Sequence, residues 1–189
     1  MPSWQYIGLS TGHSIPSPGV TAVNGVPEHM FNTVIVEKLL KYHIPHGNWF
    51  RADYDCEDLR YPKHLTQTIK NINFEGCACA IEIHHNASPK HDVDWSEVLY
   101  WDTSQMGYLL ARKIADYFTS SLREMKVRPN IKYLGKKKSK GFLKHTNCPA
   151  VIIEPAFIDV LSGLEWAETN QTKIASAIYE GLLNWLKAI

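Results

Sequence analysis

The sequence predicts a single α/β domain whose mostly parallel or mixed, twisted sheet of about six strands is flanked by helices on both faces. Three observations support this fold class. The chain has 189 residues, and a domain usually takes about 100–200 residues. Predicted strands alternate with long helical patterns along most of the chain. The run at 150–153 is continuously apolar, which is typical of a strand buried on both faces.

Residues 1–51 predict two strands and one helix. Residues 4–9 read as a strand, and a loop rich in Gly, Pro and Ser follows at 10–26. Pro27 stands where a helix can begin, because proline is tolerated in a first helical turn. Apolar residues at helical spacing extend this helix over 28–42. A short strand is expected at 48–51.

Residues 61–188 predict the longer helices and the remaining strands. A weaker helical pattern covers 61–74. Strands are expected at 78–84 and 97–101 because β-branched and aromatic residues are frequent there. Apolar residues recur at helical spacing in 104–122 and 163–188, which predicts the two longest helices. The apolar strand at 150–154 ends in a carboxylate.

Composition and charge exclude several classes of protein. Hydrophobic residues make up 44% and charged residues 21%, as in a globular protein and unlike a disordered one. The net charge of +1 predicts no bulk attraction to nucleic acid. No apolar run approaches the roughly 20 residues of a membrane span. The basic run Lys136–Lys140 favours a solvated loop, and contact with an anionic polymer is the alternative.

The four cysteines are Cys56, Cys77, Cys79 and Cys148. Cys77 and Cys79 lie two apart in a predicted strand, so their side chains project in parallel and we expect no disulfide between them. A structural zinc site would need a second cysteine pair at finger-like spacing, and the sequence has none. We interpret all four as small buried residues.

Three residues stand where the strands and helices predict a site. His13 follows the first strand, Glu28 begins the next helix, and His84 ends the strand at 78–84. Ligands of open α/β sheets bind outside the carboxyl ends of strands. Two His and one Glu would leave one position of a tetrahedral zinc open, which is the catalytic arrangement. Glu154 at the end of an apolar strand is the candidate general base.

Each candidate also has a structural explanation that the residues alone leave open. A histidine in a loop is often structural, and the chain has 9 histidines. Glu28 in a first helical turn would complement the helix dipole. Glu154 would also suit a buried ion pair with a lysine.

Several segments together resemble the zinc-dependent N-acetylmuramoyl-L-alanine amidases of the amidase-3 type. Gly12–Gly19 resembles the family's Gly-His-Gly-Gly-x-x-Pro-Gly loop, and Glu28 matches its helical Glu. Glu82–Asn86 resembles its Ser-Ile-His-Ala-Asn segment, and Pro149–Phe157 resembles Pro-Ala-Val-Leu-Val-Glu-x-Gly-Phe. Weaker matches occur at Phe50–Asp53 and Ser96–Tyr100.

The resemblance implies that His13, Glu28 and His84 bind Zn²⁺ and that Glu154 is the catalytic residue. The sequence departs from the family pattern at five positions, and none of them is one of these four residues. Ser14 and Ile15 replace glycines, Ser17 replaces Asp, Glu82 replaces Ser and Ala156 replaces Gly. His85 is the alternative ligand to His84. On a strand the two side chains point to opposite sides, so only one of them can bind the metal.

The resemblance implies hydrolysis of the amide bond between N-acetylmuramic acid and L-alanine in peptidoglycan, as in cell-wall lysis by a phage endolysin. The alternatives are a zinc carboxypeptidase-like peptidase and a non-catalytic wall-binding protein. The N-terminus has neither the basic start nor the apolar stretch of a signal peptide. We therefore expect synthesis in the cytoplasm and action on the wall after release by lysis, unless a leader is missing from the chain.

Overall fold

The computed structural model describes residues 5–91, 95–121, 130–134 and 141–189, with the backbone alone at 130–134. The strands are β1 (Tyr6–Thr11), β2 (Asn48–Arg51), β3 (Cys79–Ile83), β4 (Glu97–Trp101), β5 (Asn130–Leu134) and β6 (Ala150–Glu154). The helices are α1 (Glu28–Leu39), α2 (Lys63–Glu75), α3 (Gln105–Ser121), α4 (Gly141–His145) and α5 (Leu161–Leu186).

The six strands form one mixed sheet in the order β2-β1-β3-β6-β4-β5. Neighbouring strands are parallel except for β4 and β6, which are antiparallel. The predicted α/β fold with a mixed sheet is thus confirmed. β1 and β3 lie side by side in parallel, so their carboxyl ends meet at one edge. β6 adds its carboxyl end to the same edge beside β3.

Helices cover both faces of the sheet, as the continuous apolar strands predict. On one face, residues such as Ile81, Ile83 and Ile153 pack in a core with α1, α3 and α5. On the other face, Ile152 packs with the residues of α2 and α4, including Phe142. Each fully buried aliphatic side chain contributes about 1.5–3 kcal/mol. The two cores hold the central strands, and with them the edge of the sheet, in place.

The ends of several elements differ from the predicted ones. β1 runs on to Thr11 instead of ending at residue 9, because Ser10 and Thr11 still pair with β3. α1 begins at Glu28 as predicted but ends at Leu39. α2 ends where Gly76 takes the left-handed conformation (φ 65°), a common helix stop.

β5 and α4 have no counterpart in the sequence interpretation. β5 is an edge strand that pairs with β4 in parallel. α4 has only five residues, which is too short for a helical period to be recognised. The basic run Lys136–Lys140 lies outside the described residues.

All four cysteines are free, as predicted for Cys77 and Cys79. Cys148 is only half-buried, which corrects the expectation that all four are interior. Burial raises the pKa of the Cys77 thiol to about 11 and that of Cys148 to about 12. Among the described residues, no helix has both the length and the apolar content to cross a membrane.

Candidate metal centre and active site

The structure brings His13, Glu28 and His84 together at the carboxyl edge of β1 and β3. His13 lies two residues beyond β1, Glu28 is the first residue of α1, and His84 is the first residue beyond β3. His13 Nε2 lies 3.0 Å from Glu28 Oε2, and His84 Nδ1 lies 3.0 Å from Glu28 Oε1. One nitrogen or oxygen atom from each residue falls within 4.8 Å of the others. The three side chains could hold one metal ion.

Two glycines leave the space that this cluster needs. Gly12 donates its backbone N–H to the Ile83 carbonyl oxygen at 2.7 Å. A Cβ atom on Gly12 would lie only 2.5 Å from the His84 ring. Gly19 has a left-handed φ of +82°, and a Cβ atom there would collide with the Glu28 carboxylate and approach His13 Cδ2 to 2.7 Å. Side chains at either position would displace the cluster.

Glu28 is the centre of the hydrogen-bond network. Its side chain is 3% exposed, yet its carboxylate receives backbone N–H groups from Val20 at 3.2 Å and His85 at 3.1 Å. Burial opposes ionisation, but hydrogen bonds and charge from His13 and His84 outweigh it and hold the pKa of Glu28 far below its usual range. Glu28 is therefore a carboxylate, the form that binds metal ions.

The ring of His84 lies between two carboxylates. Its Nδ1 faces Glu28, and its Nε2 lies 3.2 Å from Oε2 of Glu82 on the preceding strand. Burial lowers the pKa of His84, but the hydrogen bonds to Glu28 and Glu82 outweigh it and raise that pKa to about 10. The cluster therefore favours positive charge between its carboxylates, as a cation site must.

His85 points away from the cluster. Its Nδ1 lies 2.8 Å from Asn32 Oδ1, and its ring packs against Phe31. Burial lowers the pKa of His85 to about 4, so the ring is neutral. The structure thus brings the side chain of His84, the choice favoured from sequence, and not that of His85, to His13 and Glu28.

Glu154 is the last residue of β6 and its side chain is buried, with 5% of the residue exposed. Ile153 pairs with Ile83 in register, so Glu154 and His84 follow side by side at the sheet edge. Strand alternation places Glu154 on the face of Ile152 rather than that of Ile153. Glu154 therefore lies at the same edge as the three-residue cluster.

Glu97 of β4 pairs with Glu154 across the antiparallel strands. It accepts hydrogen bonds from Trp95 Nε1 at 2.7 Å and from Asn86 Nδ2 at 3.2 Å. Sequence reasoning did not single out Glu97, because only the pairing of β4 with β6 places it next to Glu154.

A cavity of about 120 Å³ opens beside the cluster on the α2 and α4 side of the sheet. His13, His84 and Glu82 line it on the polar side, and its apolar lining includes Phe142. His64 also lines it, and the buried Nε2 of His64 has no hydrogen-bond partner among the described residues. Burial lowers the pKa of His64. Sequence reasoning missed both Glu82 and His64, although the i, i+2 spacing of Glu82 and His84 predicts a shared face.

The model of the Amidase_3 family, described as N-acetylmuramoyl-L-alanine amidase, matches residues 7–184. The chain is similar to the CwlD amidase from Clostridioides difficile, solved in complex with the GerS lipoprotein, with 21% identity, a TM-score of 0.80 and coverage of 98% of this chain and 100% of that one. It is similar to the catalytic domain of CwlV, an amidase from Bacillus (Paenibacillus) polymyxa var. colistinus, with 18% identity, a TM-score of 0.81 and coverage of 98% and 99%.

A third similar structure is the catalytic domain of the CD27L endolysin, which targets Clostridia difficile. The identity is 25%, the TM-score is 0.75, and the match covers 95% of this chain and 97% of that one. No curated protein matches the chain. The family match includes the strands and helices that carry the His–Glu–His cluster. This confirms the resemblance predicted from the sequence: the chain belongs to the Amidase_3 family of N-acetylmuramoyl-L-alanine amidases.

Proposed function

We propose that this protein is a zinc-dependent amidase that cleaves the bond between N-acetylmuramic acid and L-alanine in peptidoglycan. In this proposal His13, Glu28 and His84 hold the zinc and Glu154 is the general base. The observation that carries the proposal is the grouping of two imidazoles around one buried carboxylate at the carboxyl edge of the sheet. The family provides the reaction class, and the cluster provides the argument for a metal.

The donor set fits zinc. Two histidine nitrogens and one carboxylate oxygen are ligands that zinc takes in catalytic sites, where a fourth position stays open. Zinc held there would polarise the scissile carbonyl group and lower the pKa of a water molecule. The ionised state of Glu28 and the space left by Gly12 and Gly19 suit a bound cation.

Glu154 would move the proton that amide hydrolysis requires. A carboxylate can accept the proton of the attacking water and then pass it to the leaving alanine nitrogen. Its place at the end of β6, next to His84 in the register, supports this role. β6 lies between two strands in the sheet, so the carboxylate is attached to a rigid element, as a general base requires.

The cavity beside the cluster would take the substrate groups next to the scissile bond. Its polar lining includes His13 and His84, and its apolar lining includes Leu65 and Phe142. Apolar walls exclude bulk water, which strengthens the electrostatic interactions inside the site.

We further propose that residues 1–189 act as one catalytic domain on the cell wall, in the manner of an endolysin. The match to nearly the whole catalytic domain of the CD27L endolysin supports this. The family match gives no support to the carboxypeptidase-like alternative.

The test is digestion of purified peptidoglycan by the protein with and without a chelator, with new amino ends and new reducing ends assayed separately. We expect new N-terminal alanine without new reducing sugar, lost on chelation and restored by zinc. Release of reducing ends would instead indicate a glycosidase. Formation of new N-terminal alanine that survives complete metal removal would refute the role of zinc.

A further inference from the structure

The carboxylate of Glu82 is placed to act on the candidate metal centre through His84. Glu82 lies inside β3, where only 4% of the residue is exposed. Residues two apart on a strand share a face, and both Glu82 and His84 line the same cavity. Glu82 Oε2 lies 3.2 Å from His84 Nε2. A buried charge needs such a partner, because burial without one is costly.

The two ring nitrogens of His84 face different carboxylates. Nδ1 lies 3.0 Å from Glu28, which is itself bonded to His13, so Nδ1 faces the cluster. Nε2 faces Glu82 on the other side of the ring. The ring also lies close to Gly12, where a Cβ atom would approach its Cε1 and Nε2 to 2.5 Å.

This geometry matches a general feature of metal-binding histidines. Such a histidine usually donates its second ring N–H to a carboxylate or carbonyl oxygen, which fixes the tautomer and the ring orientation. With the proton on Nε2, which lies 3.2 Å from the Glu82 carboxylate, the unprotonated Nδ1 faces Glu28 in the cluster. The negative charge of Glu82 also makes the imidazole a stronger donor.

We infer that Glu82 is a positioning residue that holds His84 in the tautomer and orientation needed to bind the metal through Nδ1. This inference rests on the proposed metal centre and adds a fourth side chain to it. Glu82 acts through His84 and does not itself bind the metal. The side chain at position 82 therefore raises the metal affinity of this protein.

The test measures the affinity for Zn²⁺ of the full chain by competition with a chromophoric chelator. The proteins are wild type, Glu82→Ala, Glu82→Gln and the control Glu165→Gln, which changes an exposed glutamate of α5. We expect Glu82→Ala to bind zinc about 10- to 100-fold more weakly, the usual cost of losing such a partner. Glu82→Gln keeps a hydrogen-bond acceptor and should fall between Glu82→Ala and wild type. Glu165→Gln should match wild type.

A second readout separates positioning from direct coordination. The visible spectrum of the Co²⁺-loaded protein reports the number of ligands, and it should keep its shape and intensity in the Glu82 variants. A spectrum of Glu82→Gln that indicates one metal ligand fewer than in wild type would overturn the positioning role and make Glu82 a ligand, because Gln keeps the hydrogen-bond acceptor that orients His84.

An affinity of Glu82→Ala within twofold of wild type, in a protein with a native circular dichroism spectrum, would also overturn the inference. If Glu82→Ala does not fold, the near-isosteric Glu82→Gln decides: affinity equal to that of Glu165→Gln refutes the inference. In these outcomes wild type still binds zinc. Wild type that binds no zinc would instead refute the proposed metal centre and this inference together.

Discussion

Gly19 and Gly25 allow the steric demand of the cluster to be tested with a matched pair of substitutions. Both have a left-handed φ, +82° at Gly19 and +83° at Gly25. A Cβ atom on Gly25 would meet nothing within 4 Å, whereas one on Gly19 would collide with Glu28 and His13. Replacing each by Ala adds the same backbone strain, but only Gly19→Ala adds a collision with the candidate ligands.

The expected losses of stability and of zinc affinity follow from the backbone strain and from the collision. A non-glycine residue in the left-handed region costs about 1–2 kcal/mol, so both variants should lose about that much free energy of unfolding. Inserting a methyl group into a filled space costs about 1–3 kcal/mol more. If the Glu28 and His13 side chains move to relieve the collision, that energy appears as lost metal affinity. At 1.4 kcal/mol per factor of ten, this predicts zinc binding about 5- to 140-fold weaker for Gly19→Ala.

The assay combines chemical denaturation of the metal-free proteins with zinc competition titrations. We expect Gly25→Ala to lose stability and to keep the zinc affinity of wild type. Gly19→Ala should lose stability and zinc affinity together. Equal zinc affinity in the two variants would refute the argument that Gly19 is required by the ligands and not by the backbone alone.

The remaining predictions concern the ligand, the base and a thiol. His84→Ala should lose stoichiometric zinc, measured by metal analysis after gel filtration, whereas His85→Ala should keep it because the ring of His85 bonds to Asn32; retention in His84→Ala would exclude that ligand. Glu154→Gln should lower the rate at which new N-terminal alanine forms about 10²- to 10⁴-fold, the usual contribution of a general base, with zinc still bound. Unchanged turnover would remove Glu154 from the mechanism. The pKa of about 12 at Cys148 leaves only about 10⁻⁴ of this thiol ionised at pH 8, against about a quarter for a free cysteine. Alkylation by iodoacetamide, followed by mass spectrometry, should therefore be about 10³-fold slower at Cys148 than for a free thiol, and a rate near that of free cysteine would contradict the burial.

The sequence predicts the place of the cluster because that place depends on topology. His13 and His84 each follow a strand, and parallel neighbours bring such residues to one edge. Predicting that His13 and His84 lie at one edge needs no detailed geometry. It requires only that β1 and β3 be adjacent, which the structure shows. The distances to Glu28 within the cluster could not be predicted, because they depend on Gly19 and on the backbone N–H groups around the carboxylate.

The antiparallel placement of β4 could not be predicted from local sequence. A strand of Glu-Val-Leu-Tyr-Trp reads the same in either direction of pairing. Its reversal beside β6 places Glu97 opposite Glu154, and in a parallel pair the start of β4 would lie at the other end of the sheet. The neighbourhood of the candidate base is therefore a tertiary property, whereas the proposal of Glu154 as the base needs only its position at the end of an apolar strand.

The grouping of buried carboxylates near one edge of the sheet explains why the candidate site suits a cation. Glu28, Glu82, Glu97 and Glu154 are all buried near one edge of a sheet in a protein of net charge +1. Glu97 accepts hydrogen bonds from Asn86 and Trp95. Glu28 and Glu82 both face the ring of His84. Buried charges are stabilised by pairing or by a metal. A divalent ion between His13, Glu28 and His84 would leave His84 neutral at Nδ1 and free to donate from Nε2 to Glu82. Substitution of Glu82 therefore changes the balance of charge as well as the orientation of the ring, which is why the uncharged Glu82→Gln and the truncated Glu82→Ala must be compared.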